Sequence, residues 1–255
     1  MHQSSDVTPQ SASTGPAVDQ LPMQHAQTPL ESHNDSVDKV AQGLYSTSPT
    51  MRPVSRLPRH VGFIPDGNRR WAASQGRARE DGYAAGKSPG LRLFRMCQGL
   101  GIEEVSIYGF TQDNTRRPSI QTRRFREACV EFAEQIAPEV ALLVVGDELS
   151  AQFPVELKQF RSRQGHGLKV NFLINYGWQW DLNGLRRRGA LESAEVSRID
   201  LIVRWGGSRR LSGFLPAQSV YADIYVVDEF WPDYQPSHFE AALKWFAKQD
   251  RTLGG

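Results

Sequence analysis

Apolar residues along the chain fall into short, β-branched runs separated by longer segments with helical spacing. The runs predict strands over residues 60–64, 105–110, 141–145, 168–174, 199–203 and, with a shorter run, 224–227. The intervening segments predict helices over residues 84–100, 119–136 and 237–249. Because strands alternate with helices, the pattern predicts an α/β fold with a central, mainly parallel six-stranded sheet flanked by helices.

The last predicted helix carries its own start signal. Ser237 followed by Glu240 is a capping-box pattern. Phe239, Leu243 and Phe246 then recur at positions i, i+4 and i+7. This spacing predicts one buried apolar face.

Residues 1–57 differ in composition from the rest of the chain. They are rich in Ser, Thr, Gln, Pro and Asp, with scattered single apolar residues. Such a segment cannot bury enough apolar surface to offset the entropy lost on ordering it. We therefore predict a disordered tail over residues 1–57 and one catalytic domain over residues 58–255.

Charge and composition argue against several classes of protein. The chain has 255 residues, of which 30 are basic and 28 acidic, for a net charge of +2, so nucleic acid is not an expected partner. Its two cysteines, Cys97 and Cys129, match neither a disulfide framework nor a zinc site. The sequence has no apolar run of transmembrane length and no signal peptide pattern. We therefore expect a cytoplasmic protein without stable membrane insertion.

The stretch FIPDGNRRWA, residues 63–72, places Asp-Gly-Asn directly after a predicted strand and two arginines directly after that. Gly67 and Asn68 tolerate unusual backbone angles, and Asp66 adds a carboxylate. Asp-Gly-Asn alone is more often a turn than a site. A carboxylate, free backbone N–H groups at a helix start and fixed cations together suit a magnesium-bound anion better than an ordinary turn.

Other polar residues also follow predicted strands. Thr111 and Asn114 follow the second strand, Asn175 follows the fourth, and Arg204 follows the fifth. In open α/β sheets, ligands bind beyond the carboxyl ends of the strands. The sequence therefore gathers one Asp, two Asn and several Arg at a single edge of the predicted sheet.

Two groups of arginines predict two anionic sites. Arg70 and Arg79 are nine residues apart and are spaced to close on one phosphate. Arg204, Arg210 and Ser212 surround a Gly-Gly turn, which lets the backbone approach a ligand closely. A charge-assisted hydrogen bond contributes roughly 1.5–3 kcal/mol, so three or four at each site would hold a diphosphate.

Five blocks of the sequence resemble, in order, the signature of the cis-prenyltransferases, the undecaprenyl diphosphate synthase family. The blocks are HVGFIPDGNRRWA, SIYGFTQDNTRRP, NFLINYG, DLIVRWGGSRRLSGFLPAQSVYADIY and FWPDY, and the resemblance covers about residues 60–255. It implies an α/β fold with an apolar substrate tunnel, a homodimer, and an enzyme that joins isoprenoid diphosphates with Mg²⁺.

The resemblance also implies roles for individual residues. Asp66 would be the metal ligand at the allylic diphosphate, and Asp66, Asn68 and Asn114 would be catalytic. The residues expected to bind substrate are Gly67, Asn68, Arg69, Arg70, Trp71, Arg79, Tyr83, Phe110, Thr111, Arg117, Arg204, Arg210 and Ser212. Of these, Arg204, Arg210 and Ser212 would bind the diphosphate of the second substrate.

The chain departs from the family pattern around this second site. Ser208 and Arg209 stand where the family has Glu and His, and Asp223 stands where it has Glu. Arg209 cannot bind a metal, and a cation there would instead compensate the second diphosphate directly. In the first site, Tyr83 stands where many members have His.

The segments PDGNRRW and EDGYAAG resemble a special branch of the family, the lavandulyl-type, head-to-middle synthases of bacterial secondary metabolism. That branch couples dimethylallyl or geranyl diphosphate to a second dimethylallyl diphosphate, a change that requires a remodelled second site. Two alternatives stay open. The first is a regular head-to-tail synthase that uses isopentenyl diphosphate. The second is a non-catalytic partner subunit, which the retained Asp66 disfavours.

Three further features have plainer interpretations. Bulky side chains on the expected tunnel helices, at Phe94, Met96, Phe125 and Phe132, would stop product growth early or would simply pack in the core. The run 186–188, three arginines, is predicted to be a solvated loop. Trp178, Trp180 and Trp231 are expected in the core or at a dimer contact.

Overall fold

The fold is built on one sheet whose strands follow the predicted runs. In the computed structural model, which describes residues 56–250, the strands are β1 (His60–Ile64), β2 (Glu104–Tyr108), β3 (Ala141–Val145), β4 (Lys169–Leu173), β5 (Leu201–Arg204) and β6 (Asp223–Val226). Their order in the sheet is β3-β4-β2-β1-β5-β6. All neighbouring strands are parallel. The predicted fold class is confirmed.

Six α-helices connect and flank the strands. They are α1 (Asn68–Ser74), α2 (Asp81–Ala85), α3 (Lys87–Gly99), α4 (Ser119–Ile136), α5 (Trp178–Arg188) and α6 (Pro236–Phe246). Four 3₁₀ helices lie between them, at Gln112–Arg116, Ala137–Glu139, Val155–Arg161 and Trp231–Asp233. Because parallel strands need long crossover connections, helices cover the sheet.

Apolar cores lie on both faces of the sheet. Along β1, Val61 and Phe63 belong to the larger core with α3, α4 and α6. Ile64 belongs to a second core on the other face, with Ile202 of β5 and Phe214. Successive side chains of a strand point to opposite faces, so a strand covered on both sides reads as the continuous apolar run seen in the sequence.

The predicted helix over residues 84–100 is two helices. Gly86 separates α2 from α3. The approach of α2 to α1 is close, since a Cβ on Gly82 would lie 2.0 Å from the carbonyl oxygen of Asn68. Helical spacing alone did not reveal this break, because Gly86 keeps a right-handed helical backbone conformation.

The prediction of a loop over residues 186–188 is wrong. The three arginines form the last turn of α5, where cations interact favourably with the helix dipole. Gly189, with a φ of 73°, ends the helix in the left-handed conformation that favours glycine. Arg187 and Arg188 both form ion pairs with Glu192, so the run is exposed but ordered by its neighbours.

The last helix begins one residue earlier than predicted and uses a different cap. Gln235 precedes its first residue, Pro236, and the backbone N–H of Gln235 donates to Nδ1 of His238 at 3.3 Å. The predicted capping pair of Ser237 and Glu240 is therefore wrong, because Pro236 already has helical geometry. The predicted buried face of this helix is confirmed.

The two ends of the described region contact each other. The predicted tail lies outside the described residues except for Arg56 and Leu57. Arg56 donates to the carbonyl oxygens of Phe246 and Gln249, and Leu57 packs against the larger core. None of the helices within residues 56–250 combines the length and apolar character that spanning a bilayer requires.

Candidate active site

The loop after β1 is shaped around Asp66 and Gly67. Gly67 has a φ of 102°, a conformation that side chains other than glycine rarely adopt. Its backbone N–H donates to Oδ1 of Asp66 at 2.6 Å. The carbonyl oxygen of Asp66 accepts from the N–H of Trp231 at 3.0 Å. The carboxylate is therefore held at the carboxyl end of β1 by contacts on both sides of the loop.

Asp66 also forms ion pairs with arginines of both predicted groups. Its Oδ2 accepts from Nη2 of Arg204 at 2.7 Å, and its Oδ1 lies 3.5 Å from Nη2 of Arg70. Arg204 is brought there by the sheet, because it is paired with Ile64 where β1 and β5 end side by side. The two predicted anion sites thus meet at one carboxylate.

The arginines around the first predicted anion site outnumber the carboxylates beside them. Arg69, Arg79 and Arg117 line the same cavity as Asp66. Burial lowers the pKa of Arg69, and the nearby charges of Arg117 and Arg79 lower it further. Cations that repel one another in this way form a site for a multiply charged anion.

Tyr83 joins this group to an apolar wall. Its hydroxyl oxygen accepts from Nη1 of Arg117 at 3.0 Å, and its ring stacks on Phe125 with centroids 4.4 Å apart. Burial raises the pKa of Tyr83, although Arg117 opposes this shift. The tyrosine therefore remains a neutral acceptor that positions a cation.

The second arginine group surrounds a left-handed turn. Gly206 and Gly207 have φ values of 83° and 71°, and Ser212 has a φ of 52°. Nη1 of Arg204 donates to Oγ of Ser212 at 2.9 Å and to the carbonyl oxygen of Arg210. Arg210 is exposed and lines the same cavity as Asp66. Arg204, Arg210 and Ser212 thus line the same cavity.

The two predicted catalytic amides use part of their hydrogen-bonding capacity within the protein. Nδ2 of Asn68 donates to the carbonyl oxygen of Pro65 at 3.1 Å, and its Oδ1 is buried without a partner among the described residues. Oδ1 of Asn114 accepts from the N–H of Thr111 at 3.0 Å. A buried amide oxygen without a partner is costly and marks a position where a ligand or water would bind.

These residues line one cavity of about 470 Å³, here called the polar cavity. Its walls include Asp66, Gly67, Asn68, Arg69, Arg70, Arg79, Tyr83, Thr111, Asn114, Arg117, Arg204, Arg210 and Ser212. The predicted residues are thus brought together at the carboxyl ends of the strands, with two exceptions. Trp71 lies outside these walls and donates from Nε1 to Asp233 at 2.7 Å, and Phe110 is fully buried beneath them against Phe125.

A second, smaller cavity of about 60 Å³, here called the apolar cavity, adjoins the first. Pro65, Asn68, Tyr83, Tyr108, Gly109 and Phe125 line both cavities. The other residues that line the apolar cavity are mostly apolar: Gly86, Lys87, Ile107, Ala128, Cys129, Phe132, Phe172 and Trp231. A charged cavity that opens into an apolar one is suited to a ligand with an anionic head and a hydrocarbon tail.

Comparison with known proteins identifies the kind of enzyme. The family model Prenyltransf, described as undecaprenyl diphosphate synthase, matches residues 64–254. The chain belongs to this family. The ditrans,polycis-undecaprenyl-diphosphate synthase ((2E,6E)-farnesyl-diphosphate specific) of Salmonella typhi is 32% identical over 239 residues, which cover 80% of this chain and 95% of that protein. The Escherichia coli (strain K12) protein of that name is 32% identical over 242 residues, covering 80% and 94%. The protein is therefore an enzyme that transfers prenyl groups.

A solved structure shares the fold of this prenyltransferase. Lavandulyl diphosphate synthase from Lavandula x intermedia, in complex with dimethylallyl diphosphate, has a TM-score of 0.67 and 20% sequence identity. The likeness covers 80% of this chain and 100% of that one.

The residues of the polar cavity fit the Mg²⁺ that this family uses. Asp66 is the one carboxylate among the described residues that line the cavity. No group of three or more His, Cys, Asp or Glu within residues 56–250 is placed to hold a metal. Mg²⁺ is commonly bound by one or two carboxylates together with substrate phosphates and water, so a single aspartate beside an anion site suits it.

Of the three remodelled positions of the second site, Ser208 lines the polar cavity, while Arg209 and Asp223 do not. Arg209 is largely exposed, and its Nη2 lies 3.6 Å from Oδ1 of Asp228. Asp223 begins β6 and is paired with Leu201, three residues before the pairing of Val226 with Arg204. Within this chain, neither side chain lines the polar cavity. The structure therefore does not bring Arg209 or Asp223 to the position that the family pattern implied.

The sequence analysis missed cavity residues at the end of β2. Tyr108 and Gly109 line both cavities. The Tyr108 hydroxyl donates to the carbonyl oxygen of Ser212 at 2.9 Å, and burial raises the pKa of Tyr108. Its position at the carboxyl end of a central strand was the signal that marked it.

Proposed function

We propose that this prenyltransferase couples an allylic diphosphate, dimethylallyl or geranyl, to dimethylallyl diphosphate in a head-to-middle reaction that needs Mg²⁺. The product is a branched, lavandulyl-type C10 or C15 diphosphate, and diphosphate is released. The lavandulyl diphosphate synthase that shares this fold was solved with dimethylallyl diphosphate bound. The resemblance of the segment around Tyr83 to the head-to-middle branch agrees with this assignment.

The size of the apolar cavity supports a short prenyl group on the donor. One water-sized group needs about 10–15 Å³, so a cavity of about 60 Å³ holds about four to six such groups. This matches a five-carbon prenyl group and leaves little room for a growing polymer. Phe132 lines this cavity, and its ring packs so closely on α3 that a Cβ on Gly90 would lie 2.7 Å from it. Short substrates are therefore the ones that fit.

The second arginine group supports a changed acceptor. Arg210 and Ser212 are exposed and line the polar cavity, while the buried Arg204 reaches it from β5. Ser208 stands at the wall where the family has an acid, which removes a negative charge beside the acceptor diphosphate. This site recognises a diphosphate through arginines and leaves the hydrocarbon part of the acceptor free to differ.

The charges of the polar cavity support each step of the proposed reaction. The donor C1–oxygen bond breaks, and its electron pair leaves with the diphosphate, which Arg69, Arg79 and Arg117 stabilise. The acceptor C2=C3 double bond attacks donor C1 and forms the new carbon–carbon bond. The cation left at acceptor C3 then loses a methyl proton to the released diphosphate. When bound at Asp66, Mg²⁺ would offset the charge that builds on the leaving group.

Mass analysis of products from defined substrate pairs tests the proposal. Pure protein is incubated with Mg²⁺ and dimethylallyl diphosphate alone, with geranyl plus dimethylallyl diphosphate, and with either allylic diphosphate plus isopentenyl diphosphate. A branched C10 product from dimethylallyl diphosphate alone supports the proposal. A branched C15 product formed only with geranyl diphosphate assigns the longer donor. Linear products that need isopentenyl diphosphate would establish the head-to-tail alternative instead.

Asp66→Ala is the matching variant for this assay. We expect turnover to be abolished, because the described part of the polar cavity then has no carboxylate. Asp228→Ala serves as the control, since that exposed carboxylate forms an ion pair with the exposed Arg209 in a contact that contributes little. Circular dichroism of both variants checks that the fold persists, and activity retained in Asp66→Ala would contradict the assigned role.

We also propose that the enzyme is a homodimer. Its support is the exposure of large apolar side chains in two segments outside the polar cavity. Trp178, Leu182 and Leu185 are exposed on α5, and Val220, Tyr221 and Ile224 are exposed before and within β6. Sedimentation equilibrium at several concentrations tests this assembly, and a monomer at all of them would refute it.

A further inference from the structure

The backbones of Asp66 and Arg204 are held next to each other by the sheet. Arg204 ends β5, and the N–H of the next residue, Trp205, donates to the carbonyl oxygen of Ile64 at 3.1 Å. The N–H of Asp66 donates to that same carbonyl oxygen at 2.9 Å. The backbone therefore keeps Asp66 and Arg204 side by side, while their side chains remain able to change partners.

The proposed function gives these two side chains separate duties. Asp66 is to bind the metal of the donor diphosphate, and Arg204 is to bind the acceptor diphosphate. In the structure the two side chains bind each other instead, and Oδ2 of Asp66 accepts a hydrogen bond from Nη2 of Arg204 at 2.7 Å. Oδ1 of Asp66 is also engaged, by the N–H of Gly67. Each carboxylate oxygen therefore accepts one hydrogen bond, and the positive charge of Arg204 beside Oδ2 weakens the attraction of Asp66 for a metal.

We infer that the Asp66–Arg204 ion pair is broken by the acceptor diphosphate, which takes Arg204 and so frees Asp66 for the metal. This inference rests on the proposed use of the two sites, but not on which prenyl groups they carry. Its consequence is that binding of an anion at Arg204 and binding of a metal at Asp66 favour each other.

The burial of the two groups explains why they pair when no ligand is bound. The Arg204 side chain is 4% exposed, while that of Asp66 is 34% exposed. A buried cation needs a nearby anion, because an unpaired buried charge is strongly destabilising. Asp66 supplies that anion in the structure, and a diphosphate bound at Arg204 would supply it in its place.

The surroundings of Arg204 are prepared for the exchange. Its Nε is buried and has no hydrogen-bond partner within residues 56–250. Arg210 and Ser212 line the same cavity, and the Arg210 side chain forms no ion pair with the described residues. A diphosphate carries several negative charges and would bind both guanidinium groups, whereas the single carboxylate of Asp66 reaches only one of them.

A double-mutant cycle on pyrophosphate binding tests the exchange without metal or turnover. Inorganic pyrophosphate is titrated calorimetrically, in EDTA, into the full-length protein and its Asp66→Asn, Arg204→Gln and Arg210→Gln variants. The two double variants that combine Asp66→Asn with each arginine change complete the cycles. Arg210→Gln is the matched control, because it removes a cavity guanidinium whose side chain does not contact Asp66.

We expect Asp66→Asn to tighten pyrophosphate binding about tenfold, because the carboxylate no longer competes for Arg204. This gain should persist in the Arg210→Gln background and fall to about threefold or less in the Arg204→Gln background. An equal gain in both arginine backgrounds would show only a general charge effect and would overturn the inference. Absence of any gain from Asp66→Asn would overturn it as well.

Two precautions keep the outcome interpretable. If thermal melting shows that Arg204→Gln does not fold, Arg204→Lys replaces it, since lysine keeps the charge but lacks the fork that reaches both Asp66 and Ser212. Pyrophosphate is common to head-to-middle and head-to-tail reactions. A linear product in the turnover assay would therefore refute the proposed function and leave this result unaffected.

Discussion

Tyr83 and Phe125 stack face to face where the polar cavity meets the apolar one. Their ring centroids are 4.4 Å apart and their planes differ by 5°. Both rings line both cavities, and the Tyr83 hydroxyl binds Arg117. Tyr83 therefore contacts both Arg117, which would hold the donor diphosphate, and Phe125, which would contact the donor hydrocarbon.

Tyr83→Phe removes only the hydroxyl from this arrangement. We expect the KM for the donor to rise about fivefold with little change in kcat, because a hydrogen bond that positions Arg117 contributes about 1 kcal/mol. Steady-state kinetics with varied donor measures the effect. Tyr225→Phe, which changes a tyrosine that packs on Trp245 away from the polar cavity, is the control. A fall in kcat with no change in KM would contradict the positioning role.

Gly67 tests the backbone that presents Asp66. Gly67→Ala should destabilise the protein by more than about 2 kcal/mol, because its φ is 102° and a Cβ there would lie 2.6 Å from Cδ1 of Phe230. Activity should fall as well, since the adjacent carboxylate must shift. Chemical denaturation measures the stability loss.

Gly76→Ala separates backbone strain from the clash. Gly76 has a φ of 67°, and nothing lies within 4 Å of a Cβ built on it. We expect it to lose only about 1 kcal/mol and to keep full activity. Equal losses in Gly67→Ala and Gly76→Ala would mean that contact with Phe230 is unimportant.

Phe132 is expected to limit the length of the donor. Its ring packs against Phe94 and Phe172, with centroids 5.5 and 5.7 Å away, and lines the apolar cavity. Phe132→Leu should raise the ratio of kcat/KM for geranyl over dimethylallyl donors by about tenfold, because a shorter side chain admits more hydrocarbon. Competition between the two donors, read by product mass, measures this ratio.

The control for Phe132 is Phe239→Leu. Phe239 is fully buried against Phe63 and lies outside the apolar cavity. Both changes remove a similar amount of buried aromatic surface, so both should reduce stability by about 1–2 kcal/mol. An unchanged donor ratio in Phe132→Leu, or an equal change in Phe239→Leu, would exclude Phe132 as the limit.

A buried polar cluster lies at the opposite end of the strands from the cavities. His60 bonds through Nε2 to Oγ of Ser106 at 2.9 Å and through Nδ1 to the carbonyl oxygen of Ser197 at 3.0 Å. Burial lowers the pKa of His60, although Glu104 and Asp200 oppose this shift. For Glu104, burial alone would raise the pKa, but His60 and hydrogen bonds from Asn171 and Ser197 lower it.

This cluster predicts a loss of stability in mild acid. Below about pH 6.5, the usual pKa of histidine, an unfolded chain binds a proton at His60 that the folded protein does not bind. The free energy of unfolding should therefore decrease as pH falls from about 6.5 to 5, by up to about 1.4 kcal/mol per pH unit. The contribution of Glu104 is lost only at lower pH, because its folded pKa lies below the ordinary value.

His60→Gln checks the assignment. Urea denaturation between pH 5 and 7 should give a shallower pH dependence in this variant than in the wild type. His166→Gln, which changes an exposed histidine outside the cluster, is the control. If His60→Gln keeps the wild-type slope, the acid sensitivity arises elsewhere.

Local chemistry made some elements predictable and hid others. Runs such as 141–145 were recognisable as strands because both faces of the sheet are covered, which makes every position apolar. Helix α5 was missed although Trp178, Leu182 and Leu185 recur at i, i+4 and i+7, because the arginine run at its end was interpreted as a loop. The glycine that follows the arginines, Gly189, was the end signal that would have identified it.

The sequence by itself determined the order of strands and helices and the residue types available at the carboxyl ends of the strands. It placed Asp66 and Arg204 in separate predicted sites, because they are 138 positions apart. Only the tertiary structure decided that they form a pair. The reason is the strand order, in which β5 lies beside β1 although three other strands intervene in the chain. Hydrogen bonding between these two neighbouring strands brings together residues that are distant in the sequence, and local spacing cannot reveal such a pairing.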